Sequence, residues 1–200
     1  MARIAREVIE RAGLDARTVT GKLAAAAASE LAAFYRHTVL SHHVAGLVAG
    51  DGLREVIVDI RAEDRVHFDE LVTRIYELDG RLPDDVRGLM GAAGCPPDRL
   101  PAGLGGTAEE PRPGATGDPA VDLPAVLLET ERRAIRAYAD IRDLTAGKDP
   151  RTHDLAVAIL NDKREHVAWL RELLGEDAGP RFHRGFRGRA PYVRRLGETS

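Results

Sequence analysis

Apolar residues recur at intervals of three and four along four long stretches of this 200-residue chain. That spacing puts them on one face of an α-helix. The stretches run from about Thr20 to Val48, Leu53 to Leu78, Asp122 to Ala146, and from Lys148-Asp149-Pro150 to Gly175. Each predicts a helix of roughly 26 residues, about 40 Å long. A short further helix is expected near Arg3 to Ala12. Asp149 followed by Pro150 is a start signal, because the carboxylate caps free amides and proline suits the first helical position. Gly80, Gly147 and Gly175 sit where helices end, a position that favours a left-handed residue. No segment alternates with the period of a strand, so the expected fold class is all-α. The turns at Gly50-Asp51-Gly52 and Gly147-Lys148 are short, which predicts two antiparallel hairpins. Between the hairpins, Gly91 to Ala120 holds seven Gly and six Pro, so it cannot be a continuous helix.

Two helical hairpins joined by one long crossover are the arrangement of a ferritin-like four-helix bundle. The inward stripes carry the chemistry. The first reads Leu23, Ala27, Glu30, Phe34, His37, Ser41, and the second Ile57, Ile60, Asp64, His67, Leu71, Ile75, Leu78. The third reads Leu127, Glu131, Ala134, Tyr138, Ile141, and the fourth Leu155, Ile159, Lys163, His166, Leu170, Leu173. Each is apolar except near its middle. One acid or imidazole on such a stripe is ordinarily a boundary residue or a hydrogen-bonded core residue. Four helices with ionisable groups at one level predict that those groups meet, since burying them unpaired costs several kcal/mol each. Asp64-x-x-His67 is matched on the fourth helix by Lys163-x-x-His166. Residues three apart share a face, so an acid and an imidazole so spaced can hold one ion. Bundle di-iron sites use two such pairs and two single Glu residues. Glu30 and Glu131 are the candidate single carboxylates. Glu63, four residues from His67, is the alternative to Asp64. His37 is read as a core residue in preference to an outer ligand.

Composition narrows the picture. One cysteine excludes a disulfide framework and a zinc finger. No charge-free apolar run of about 20 residues exists, so no membrane span is expected. The charged opening segment argues against a signal peptide, and a cytoplasmic protein is the expectation. Net charge is only -3, but it is unevenly spread. Arg181, Arg184, Arg187, Arg189, Arg194 and Arg195 face one acid, Glu198, in the last 20 residues. That tail carries +5 and leaves the preceding 180 residues at -8. The chain is therefore read as a bundle over 1–179, with its crossover at about 91–120, and a basic tail over 180–200. Such a tail binds either phosphates or a neighbouring subunit. Phe182, Phe186, Pro191 and Tyr192 among the arginines favour subunit docking over DNA.

The chain resembles the Dps-like ferritins, also called thioferritins, nearly end to end. The resemblance is carried by Glu30-Leu31-Ala32-Ala33-Phe34-Tyr35, Glu63-Asp64-Arg65-Val66-His67-Phe68 and Arg74-Ile75-Tyr76-Glu77-Leu78-Asp79-Gly80. It continues through Gly94-Cys95-Pro96-Pro97, Glu131-Arg132-Arg133-Ala134-Ile135 and Leu144-Thr145-Ala146-Gly147-Lys148-Asp149. Ala158-Ile159-Leu160-Asn161, His166-Val167-Ala168-Trp169, Phe182-His183-Arg184 and Pro191-Tyr192-Val193 complete it. The resemblance implies a homo-oligomeric cage that oxidises ferrous iron at a di-iron site and protects against peroxide. It implies Glu30, Asp64, His67, Glu131 and His166 as iron ligands, and Tyr35 and Tyr138 are read as groups that support those ligands from behind.

Three departures qualify this. Lys163 stands where the family has a ligand Glu. Arg133 stands where the family has the partner of Cys95, which leaves that thiol without an intramolecular partner and a redox role for it disfavoured. The crossover from Ala102 to Ala120 is long and loose. The expectation is a Dps-like ferritin subunit with a degenerate di-iron site, holding one iron or none in preference to two, its ferroxidase-type activity weakened or lost. The alternatives are a non-catalytic self-assembling scaffold and a bundle di-iron oxygenase.

Overall fold

A computed structural model describes residues 2–44, 51–92 and 119–176. The described residues form six helices: α1 (Ala2–Arg11), α2 (Ala16–His43), α3 (Asp51–Glu77), α4 (Val86–Ala92), α5 (Pro119–Thr145) and α6 (Pro150–Leu173). There is no strand among the described residues. The Gly/Pro-rich middle of the crossover, Cys95 and the basic tail lie outside the described residues.

Helix ends follow local chemistry. The Asp15 side chain accepts hydrogen bonds from the amides of Arg17 and Thr18, which starts α2 four residues before the periodicity alone would place it. Asp149 caps α6 by accepting from the Thr152 amide at 3.1 Å, with Pro150 opening the helix as expected. Gly147 and Gly175 adopt φ of +70° as expected. At the end of α3 the left-handed residue is Asp79 (φ 60°), not Gly80. Gly80 serves space instead: a Cβ there would lie 2.9 Å from the Ile75 carbonyl oxygen. Its amide donates to that same oxygen, which closes the helix. Helix α4 was not anticipated, and its first turn is closed by Asp85 accepting from the Gly88 amide.

Helix α2 packs chiefly on α3, and α5 on α6, which are the two expected hairpins; α3 also meets α6. Two apolar clusters fill the bundle. One holds Val19, Leu23, Leu71, Ile75, Tyr138, Ile141, Leu155 and Ile159, with Ile9 of α1 closing its end. The other holds Leu40, Leu53, Ile57, Ile60, Leu123, Leu127 and Leu170. Helices α2 and α6 pass from the first cluster to the second, and α3 and α5 pass the other way. Burial of each large side chain stabilises the fold by about 1.5–3 kcal/mol. Between the clusters all four long helices become polar, and the candidate site lies in that layer.

Candidate metal centre

The register of the four helices decides what meets there. Glu30 and His37 come from α2, Glu63, Asp64 and His67 from α3, Glu131 and Tyr138 from α5, and Asp162, Lys163 and His166 from α6. All are buried, several completely.

Lys163 holds the middle. Its ammonium donates to Glu30 Oε2 at 2.9 Å and to Asp64 Oδ1 at 2.6 Å, and lies 3.8 Å from Glu131 Oε2. Burial opposes its charge, but Asp64, Glu131 and Glu30 more than compensate and hold Lys163 well above its usual range. Reciprocally, burial would raise the Asp64 carboxyl, yet Lys163 and His37 hold it well below its usual value. Glu131 is lowered in the same way, Lys163 and His166 outweighing burial. Lys163, Asp64 and Glu131 therefore favour their charged forms together, and the same ammonium also donates to Glu30.

The histidines join this set to a second pair of acids. His67 Nδ1 lies 3.3 Å from Glu30 Oε2, and its Nε2 lies 3.2 Å from Asp162 Oδ2. His166 Nδ1 lies 3.1 Å from Glu131 Oε2, and its Nε2 lies 2.7 Å from Glu63 Oε2. With a carboxylate at both ring nitrogens, each imidazole favours the doubly protonated form, although burial opposes it. His67 is raised to about 9 by Asp162 and Glu30, and His166 to about 10 by Glu131 and Glu63. His37 Nδ1 lies 2.7 Å from Asp64 Oδ2. The Tyr138 hydroxyl donates to Glu30 Oε1 at 2.8 Å, and burial followed by the Glu30 charge keeps that hydroxyl protonated.

The five carboxylate and imidazole candidates thus converge, and Lys163 is among them. Glu63 and Asp64 are both buried in the layer, each in a different set of donor atoms. Asp162, about 100° around the helix from Lys163, is completely buried and reaches His67. A helical wheel of α6 alone puts it beside the stripe; only the position of α3 makes it part of the site. Tyr35 departs from expectation. It is 70% exposed and faces away from the layer, whereas Tyr138 is in it. Among the described residues, three sets of donor atoms lie close enough to hold an ion: Glu30, Asp64 and His67; Asp64, Glu131 and His166; and Glu63, His67 and Asp162.

A cleft of about 360 Å³ between α2 and α5 opens beside this layer. Alanines such as Ala26, Ala33 and Ala134 wall it. Glu30, Glu131 and Lys163 also line it, and the exposed Arg133 belongs to its wall.

Relatives agree with the architecture. The family profile "Ferritin-like domain" matches residues 20–179. The chain is 42% identical over 194 residues to a DNA protection during starvation protein of Pyrococcus furiosus, covering 97% of both chains. Its structure matches that of a dodecameric thioferritin, the bacterioferritin-related protein of Bacteroides fragilis, with a TM-score of 0.72 and 27% identity over 86% of this chain and 93% of the other. A bundle of two hairpins with a buried carboxylate–histidine layer, matched over four-fifths of its length by that profile, belongs to the ferritin-like family.

Proposed function

We propose that this chain is a Dps-like ferritin subunit that handles iron and protects against oxidative stress, in which Lys163 is the resident cation of the former two-iron site. The observation that carries the reading is the position of Lys163 Nζ, 2.6 and 2.9 Å from Asp64 and Glu30. An iron ion takes carboxylate oxygens at about 2 Å. An ion on Glu30 and Asp64 would therefore sit about 3 Å from the ammonium. At an effective dielectric of about 20, a divalent ion and a unit charge at that distance repel by roughly 10 kcal/mol. The donor set does not fit two irons while Lys163 keeps this place. Two of the three donor groups contain Asp64 and share it with the ammonium.

In this reading Lys163 neutralises the acids, and Tyr138 and His37 fix the carboxylates of Glu30 and Asp64. The ordered layer then persists without metal. The subunits form a closed homo-oligomeric shell, as in the dodecameric thioferritin. Iron remains the cargo, and oxidation at the old centre is slow. The cleft beside the layer favours a second reading, a bundle oxygenase with a small organic substrate. That chemistry needs the intact metal pair, which Lys163 opposes.

Anaerobic ferrous titration with metal analysis tests the proposal, on the wild type and on Lys163→Glu. The variant is expected to gain at least one iron per subunit and to oxidise it faster. Two irons per wild-type subunit with rapid turnover would overturn the assignment of Lys163.

A further inference from the structure

We propose that Glu63, His67 and Asp162 form a seat for one divalent transition-metal cation, offset from the position that Lys163 occupies. The inference rests on reading Lys163 as a fixed cation. Of the three donor groups, this one alone contains none of the carboxylates that Lys163 holds. Its donor atoms lie within 4.8 Å of one another, and all three side chains are buried. Among the described residues, no lysine or arginine forms an ion pair with any of them.

The independent observation is an unsatisfied oxygen. Asp162 has no exposed surface, and its Oδ2 faces His67 Nε2 at 3.2 Å. Its Oδ1 is buried and has no hydrogen-bond partner. A buried carboxylate oxygen without a donor is destabilising, and a cation bound to it removes that cost. Position in the helix explains why the seat survives a lysine next door. Asp162 and Lys163 leave α6 about 100° apart. The ammonium therefore faces Glu30 and Asp64, while Asp162 faces His67.

The chemistry is consistent. The carboxylates are hard donors that accept any divalent ion, and the borderline imidazole tips the set toward ferrous, cobaltous or zinc ions over calcium or magnesium. Three protein ligands leave an open position for water. His67 can donate Nδ1–H to Glu30, which fixes the ring and presents the Nε2 lone pair to the ion. The ion replaces the proton at Nε2, and that proton is released to solvent. Glu63 contributes one oxygen while His166 Nε2 holds its carboxylate in place at 2.7 Å.

Cobaltous ion is the probe, because its visible spectrum reports coordination without any enzymatic readout. Metal-free full-length protein is titrated with Co2+, bound metal is counted, and crystals are examined for anomalous scattering. One ion per subunit is expected, located among Glu63, His67 and Asp162. Asp162→Asn is expected to weaken binding by at least about tenfold. Glu131→Gln removes an acid of the neighbouring group and reaches the seat only through His166, so it is expected to weaken binding far less than Asp162→Asn. If Asp162→Asn does not fold, judged by circular dichroism, Glu63→Gln is expected to show the same weakening. Absence of Co2+ uptake would overturn the seat and leave the reading of Lys163 standing. Uptake that survives Asp162→Asn but fails in Glu131→Gln would put the ion in the place of the ammonium and overturn both.

Discussion

Lys163 changes what its neighbours do. In metal-free protein its ammonium is the link between Glu30 and Asp64, and removing it leaves two carboxylates facing each other inside the bundle. Breaking a buried ion pair from one side typically destabilises by about 3–5 kcal/mol. Lys163→Met is expected to lose that much in urea unfolding and to recover part of it when a divalent ion is added. A loss below about 1 kcal/mol would mean that the acids find another partner. The histidines set the pH response of the metal-free protein. His67 and His166 titrate near 9 and 10 when folded, against about 6.5 when unfolded. Their folded values are raised, so their contribution is complete below about pH 6.5 and is lost as pH climbs through 9 and 10. The unfolding free energy from urea titrations is expected to fall between pH 7 and 10, by up to about 1.4 kcal/mol per pH unit for each imidazole. His166→Gln is expected to flatten that slope, and an unchanged slope would refute the assignment.

The helices differ in how their ends are secured. Asp15 caps α2 at the surface, where it serves two amides and the Thr18 hydroxyl. Asp149 caps α6 inside the protein, and both of its oxygens also accept from Arg74 Nη2 at 2.9 Å. That bond ties α3 to the start of α6. Asp15→Ala is expected to cost about 1 kcal/mol. Asp149→Ala removes a cap and one of the two carboxylates paired with the buried Arg74 guanidinium, Glu77 remaining, so about 2–4 kcal/mol is expected from thermal or urea unfolding. Equal losses would show that the Arg74 link adds nothing. The same scale explains where periodicity misled. Gly88 and Gly91 inside α4 look like loop residues, and the signal for that helix was the acid pair Asp84-Asp85 after Pro83. Helix α5 begins at Pro119 and runs through Pro124, because proline near a helix start gives up few backbone bonds.

At the scale of the whole molecule, the acidic body and the basic tail belong to one assembly problem. The body carries -8 and the last 20 residues +5. From the aromatics among the arginines we propose that the tail docks on a neighbouring subunit. Deleting residues from Arg181 onward is expected to lower the mass seen by light scattering from a shell to small oligomers. Any retardation of DNA on a gel is expected to change less. An intact shell with lost DNA retardation would reverse that preference.

Fold and site were legible in the sequence to different depths. The period of three and four, the capping acids and the one long crossover are local properties, and they determined an all-α bundle of two hairpins. The polar residues at mid-helix in Glu30, Asp64, His67, Glu131 and His166 were visible for the same reason, since a charge on an apolar stripe is conspicuous. Which of them touch is not local. Periodicity could not tell Glu63 from Asp64 or include Asp162, because membership in the layer depends on the rotation of one helix against another. Tyr35 and Tyr138 looked equivalent until packing left one in water and buried the other. The sequence revealed a lysine where an acid was expected. Only the tertiary structure decided that its ammonium stands between Glu30 and Asp64, because a charge so deeply buried must take the position where its counter-charges converge.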